Sequence, residues 1–416
     1  MSNGITFGFA KPLAAALALA GALAAAPGAV SAPGFGYDGA WAPTWAASPE
    51  PPRVPPTVLN NQTVREVLRI SIGAGRFRVR LTNEYGSKPV IIGAAHLALT
   101  TTGSGVDPRS DRALTFDGQP TVTIPAYGVI YSDPVDISGP ALSQMSVSLY
   151  FPGTSGDATG HFFGLQTAYV GAGNQVDARE INITNTLGER PFVSGVEVAL
   201  PKRPKVVVTL GDALTDGFGS QPGANHRWPD YLAQRLNEDR KRTPTAVVNA
   251  SISGNRLLHD FIGPNAISRF DRDVLSMPRV SHLIILLGIN DFGFPGARNL
   301  PDEEVTAEEV IAGYKQLVAR ARAHDIKVIG ATLPPFGPIP SRPGFYSDEA
   351  EAKRQAVNQW IRTSGFFDGV IDFDAAVRDP KTPNRLNPGY DSGDHLNLND
   401  AGYKAMADAV NLKLLD

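Results

Sequence analysis

Residues 206–210, Val-Val-Val-Thr-Leu, are all apolar or β-branched, and the run stops at Gly211-Asp212. A short run of this kind, closed by a glycine and a turn, suits a strand buried on both faces. Such strands occur in parallel sheets covered by helices. The carboxyl edge of an open sheet of that type is where ligands bind. The small residue Ala213 falls at that edge.

The chain beyond Pro204 keeps a strand–helix rhythm. Strands are expected at residues 205–210, 246–249, 282–287, 327–331 and 370–373, with 282–287 the most apolar and therefore central. Trp228, Leu232 and Leu236 recur at helical spacing. Val310, Ile311, Tyr314, Leu317, Val318 and Ala321 stripe a second helix, Val357, Trp360 and Ile361 mark a third, and a last one is expected over 400–412. Alternating elements of these lengths imply a parallel sheet with helices on both faces and right-handed crossovers.

The preceding region has period two instead. Leu68, Ile70 and Ile72 alternate with Arg69 and Ser71; after Gly73-Ala74-Gly75, Phe77, Val79 and Leu81 alternate with Arg76, Arg78 and Arg80. This predicts a hairpin with one wet face. Val122 and Ile124, and Met145, Val147, Leu149 and Phe151, add further strands, so residues 63–202 are expected to form an antiparallel β-sandwich. The arginine row reads as a solvated sheet face, with an acidic glycan as the alternative. Residues 33–62, rich in Pro, Gly and Ala and holding Trp41 and Trp45, read as an arm pinned to the surface.

A chain of 416 residues is long enough for two domains. Its net charge of −3 makes no case for nucleic acid or an anionic membrane, and with 0 cysteines it has neither disulfides nor thiolate metal sites. The histidines show no metal-ligand spacing, and no cofactor is expected. Lys11 precedes an Ala/Leu-rich run over 12–26, with Val30-Ser31-Ala32 as a cleavage site. Residues 1–32 therefore read as a secretory signal, and the protein as secreted or periplasmic; a membrane anchor is the competing reading of this short run.

Three more segments follow predicted strands or close the sheet: Asn249 to Asn255, Gly288-Ile289-Asn290-Asp291, and Asp391 to Tyr403. Together with Gly211-Asp212-Ala213-Leu214, their order resembles the signature blocks of the GDSL, or SGNH, hydrolases across residues 203–416. Gly211 and Asp212 match the first block, Gly254 the second, and Gly288, Asn290 and Asp291 the third. The resemblance implies a flavodoxin-like sheet and hydrolysis of short acyl esters, such as acetyl groups on polysaccharide, through a Ser acyl-enzyme. It also implies an oxyanion hole made by the N–H groups of residues 213 and 254 and the Asn290 amide, with Asp212 and Asp291 in support. Preorganised donors of that kind each contribute about 3 kcal/mol to lowering the barrier. Asn290 as a helix cap is the competing reading.

Two positions depart from the family. The nucleophile position holds Ala213, whose methyl group cannot attack a carbonyl. Counting back from Ala401-Gly402-Tyr403 puts the family's Asp-x-x-His at Asp394 and Asn397, and an amide is no base at neutral pH. His395 is the nearest imidazole; it would serve as base only if the loop were rearranged, with Asp391 or Asp394 orienting it. Ser251 and Ser253 are substitute nucleophiles of poor geometry. The sequence therefore supports an esterase scaffold silenced at its reactive atoms, or a non-hydrolytic protein that binds an ester or carbohydrate in the same notch.

Overall fold

The structure, a computed structural model, describes residues 1, 40–201, 203–238 and 243–416. Apart from Met1, the expected secretory signal lies outside the described residues. In the C-terminal half, five parallel strands stand in the order Thr245–Asn249, Lys205–Gly211, Val280–Leu286, Lys327–Ala331, Gly369–Ile371. Numbered along the chain this is 2-1-3-4-5, the flavodoxin-like order, with Val280–Leu286 in the middle as its apolar sequence requires. Val206, Val207, Val208, Leu210, Leu283, Ile284 and Ile285 have no solvent exposure. The order reverses between Lys205–Gly211 and Val280–Leu286. At such a switch point the departing loops part to opposite faces and leave a crevice at the carboxyl ends.

The helices form where periodicity and capping agree. Ala307–Arg322 buries Val310, Tyr314, Leu317, Val318 and Ala321 against the sheet. Thr306 and Glu309 close its start as a reciprocal capping box, and Arg320 and Arg322 lie in its last turn, where the helix dipole favours cations. Burying side chains of this size stabilises the fold by roughly 1.5–3 kcal/mol each.

The N-terminal half is antiparallel. One sheet contains Ala40–Ala46, Val193–Leu200 and Ala74–Thr82, the last pairing also with Val129–Tyr131 and Val135–Gly139. The other runs Ile183–Leu187, Ala168–Ala172, Gln62–Arg69, Gln144–Phe151, Ala94–Leu99, Arg112–Ala113. The hairpin expected across Gly73-Ala74-Gly75 does not form: Gln62–Arg69 and Ala74–Thr82 belong to different sheets, and the chain turns a corner between them. A Cβ on Gly73 would come within 2.4 Å of Ala141 N and Gly139 O, so that corner admits no larger residue. The alternation of Phe77, Val79 and Leu81 against the arginines is as read. The arginines are neutralised, however: Arg76 by Asp136, Arg78 by Glu197 and Arg80 by Glu84. That leaves the row poorly suited to an acidic glycan.

Of the segment expected to be an arm, Ala40–Ala46 is a strand paired along Val193–Leu200. Ser71 N donates to Thr44 O, and Val247 N, in the parallel sheet, donates to Ser71 Oγ. The described residues from 40 to 416 thus pack as one body. Among the described residues no helix is long and apolar enough to cross a membrane.

Candidate active site

Gly211 ends its strand against Thr215 and Leu286, so closely that a Cβ there would lie 2.3 Å from Thr215 Oγ1. The chain then breaks into the short helix Ala213–Asp216, with Asp212 as its N-cap; Asp212 Oδ1 accepts from Leu214 N at 3.0 Å. Ala213 is left partly exposed at the mouth of the crevice. The next loop returns to the same place, since Ile252 N donates to Gly211 O at 3.2 Å. It passes through Gly254 at φ +80°, where a Cβ would be 2.6 Å from Ile262. The left-handed φ is what calls for glycine here, since the end of the Ile262 side chain could give way.

Asn290 lies in the first turn of the helix Ile289–Arg298, and its side chain does not cap it. Its Nδ2 donates to Asn255 O at 2.9 Å and, less closely, to Asp212 Oδ2 at 3.3 Å. One amide thus bridges the residues beside Ala213 and Gly254. Asp291 locks the same loops, accepting from Leu257 N at 2.8 Å and Leu258 N at 2.9 Å. Among the described residues, no acceptor takes the N–H of Ala213 or of Gly254. Two backbone N–H groups without an acceptor and one weakly held amide hydrogen thus belong to segments that the Asn290 side chain ties together. Burial, aided by the neighbouring Asp291 carboxylate, raises the Asp212 carboxyl to about 7. Burial likewise raises Asp291 to about 6 against its two N–H partners.

The loop before the last helix packs on the first one: a Cβ on Gly219 would meet Leu398 O at 2.7 Å and Ser392 Cβ at 3.0 Å. Tyr403 Oη donates to Phe218 O at 2.6 Å, pinning the turn after Ala213. Asp394 accepts from Leu396 N, Asn397 N and Ser392 Oγ on Oδ1, and from Asn397 Nδ2 at 2.6 Å on Oδ2. These four donors outweigh its desolvation and hold its pKa below the ordinary carboxylate value. Asn397 is buried, and its Oδ1 has no partner among the described residues. His395 faces elsewhere. It sits at φ +64° with half its side chain exposed, and its Nδ1 pairs with Asp391 Oδ2 at 2.6 Å, in a cleft with Arg385 and Pro338. Of the imidazole's two candidate orienting carboxylates, Asp391 is the one that holds it.

A model of the family described as GDSL-like lipase/acylhydrolase matches residues 207–410. The C-terminal half belongs to the GDSL-like lipase/acylhydrolase family. Solved structures similar to it include the aryl esterase of M. smegmatis (19% identity, 49% of this chain and 95% of that one, TM-score 0.39). Others are a carbohydrate acetylesterase from Sinorhizobium meliloti (17%, 51% and 98%, 0.40) and a GDSL-like lipase from Bacteroides thetaiotaomicron (21%, 50% and 87%, 0.38). No curated protein matches the chain.

Several groups around this GDSL-like site escape sequence reasoning. Asp216 is buried and accepts from Ser253 N at 3.0 Å and Ser253 Oγ at 2.6 Å, so this hydroxyl is already committed. Ser251 Oγ donates to Thr209 O. The other Asp216 oxygen meets His161 Nε2 at 3.0 Å; His161 comes from the sandwich, with Nδ1 3.1 Å from Ser48 O and 3.4 Å from Glu50. Burial would push this imidazole down, but Asp216 and Glu50 outweigh it and raise its pKa. No local pattern marks this chain, because its successive members, Ser253, Asp216, His161 and Glu50, lie 37, 55 and 111 residues apart. Among the described residues no cluster of three or more His, Asp or Glu could hold a metal ion.

Proposed function

We propose that the notch is an acyl-ester site of serine-esterase design whose hydrolytic step is silenced in this chain. The N–H groups of Ala213 and Gly254 and the Asn290 amide receive the ester's carbonyl oxygen. Asp212 and Asp291 fix the loops that carry them. The substrate class is a short acyl, such as acetyl, ester of a small molecule or polysaccharide, and the Ala/Leu-rich N-terminal run supports a secreted or periplasmic protein.

One observation carries this reading: the Asp394–Asn397 hydrogen bond. Nδ2 of asparagine and Nδ1 of histidine both hang on Cγ, so the amide donates to Asp394 as an imidazole N–H would. The second ring nitrogen, the one that takes a proton, has no counterpart in asparagine. Asn397 Oδ1 stands where a ring carbon would be, which is why it has no partner. The site keeps its orienting carboxylate and its donors, but lacks the proton acceptor and, at Ala213, the attacking oxygen. His395 has no part in this reading: Asp391, not the Asp394 that Asn397 holds, orients it, in a cleft with Arg385 and Pro338.

The same observation favours a second reading, a natural protein that binds an ester or carbohydrate without cleaving it, since the pocket stays organised after both losses. Assaying a short-chain aryl ester with the chain as it stands, with Ala213→Ser, and with Ala213→Ser plus Asn397→His tests the first. The expected order is near-inert, weak and active. If the double variant turns over no ester, the esterase reading falls and binding without cleavage remains.

A further inference from the structure

The geometry points to a binding trench for carboxylate-bearing sugars, a uronate polymer, beside the notch; this rests on reading the notch as a carbohydrate-ester site. The trench, about 400 Å³, is lined by Pro52 and Arg53, by Phe162 and Phe163 of the sandwich, and by Phe261 and Ile262 of the hydrolase half. It adjoins the notch on two sides. Ile262 abuts Gly254, and Phe163 packs edge-on against Phe218, whose N–H donates to Ala213 O. A polymer whose ester lies over Ala213 would therefore run into it.

The chemistry of the walls selects the occupant. The Arg53 guanidinium lies 4.0 Å over the Phe162 ring and 4.8 Å over Phe163. On the rim, Arg298 lies 5.4 Å over Phe261, which is 46% exposed. Among the described residues neither arginine's guanidinium is hydrogen-bonded or ion-paired; the charge of Arg53 acts on the buried Glu50 only from beyond ion-pair distance. This contrasts with Arg76, Arg78 and Arg80, each matched to an acid. A guanidinium resting on an aromatic face keeps its in-plane N–H fork free, the fork that grips a carboxylate in two-point fashion. Placing two such forks on one trench of a chain with net charge −3 is a local arrangement rather than an overall excess. Hydrocarbon would leave both forks unused, and a neutral glycan would use only the apolar floor.

Calorimetric titration of the full chain separates these cases, with three probes: fully de-esterified oligogalacturonate, neutral oligogalactan, and phosphatidylglycerol vesicles. Oligogalacturonate is expected to bind at least about tenfold more tightly than oligogalactan, and Arg53→Ala or Arg298→Ala to weaken it by about tenfold each. Arg53→Lys should weaken it comparably, because lysine keeps the charge but loses the planar fork. Equal binding of the neutral glycan, indifference to these variants, or binding confined to the vesicles would overturn the proposal. If the doubly restored enzyme cleaves an aryl ester while oligogalacturonate fails to bind, only the trench assignment falls. Glycan binding with every restored variant inert removes only the ester reading.

Discussion

The two sides of the notch are built to different standards. On the donor side, Asp291 accepts two backbone N–H groups, and Asn290 spends one amide hydrogen firmly on Asn255 and the other loosely on Asp212. On the base side, Asp394 is equally well supplied, but its partner Asn397 leaves a buried oxygen unsatisfied, and the nearby imidazole of His395 is turned to Asp391. Holding an anionic oxygen needs donors fixed in space; moving a proton needs a ring nitrogen. On the function proposed above the first requirement is met and the second is not, so binding and turnover would separate on this scaffold.

That contrast can be broken most forcefully through the base. Adding Asn397→His to Ala213→Ser should raise kcat/KM on an aryl ester by about 10² to 10⁴ over Ala213→Ser alone; equal rates would place the base elsewhere. On the donor side of the doubly restored enzyme, Asn290→Ala should lower kcat by about 10² to 10³. A change confined to KM would show that Asn290 binds the ground state and does not hold the developing oxyanion.

Stability should show the same asymmetry on a smaller scale. Asp291→Ala strands two buried N–H groups and is expected to cost about 2–4 kcal/mol in urea unfolding, whereas Asp391→Ala, which frees a half-exposed histidine, should cost under about 1 kcal/mol. A comparable effect concerns pH. Asp212 ionises at about 7 in the fold, against an ordinary value near 3.8. Its contribution is full below about pH 4 and is lost as pH rises towards 7. Between pH 5 and 8 that loss is roughly 2–3 kcal/mol, and Asp212→Asn should flatten it. A wild-type slope unchanged by the substitution would mean that Asp212 is ionised throughout.

How much of this was legible in the sequence depended on range. The strands that end at Gly211, Asn249 and Leu286 are legible to within one residue at those ends, because a buried parallel strand needs an unbroken apolar run and a residue that stops it. The place of Asn397 followed from its fixed offset to Ala401-Gly402-Tyr403. The corner at Gly73 was misread because alternation looks the same whether a strand pairs with the next or crosses to a facing sheet. The chain from Glu50 through His161 to Asp216 carried no signal, since single polar residues in three distant segments have no period.

That chain has a practical consequence. Among the described residues, Asp216 draws its imidazole partner from outside the hydrolase half, and Ser253, which hangs on its other oxygen, leads directly into Gly254. Excising residues 203–416 as a minimal fragment would strip the buried Asp216 of its imidazole, leaving it only the Ser253 donors and the charge of Arg227. The folded unit around the site is thus larger than its family signature, and any shortened version must retain the strip of chain bearing Glu50 and His161.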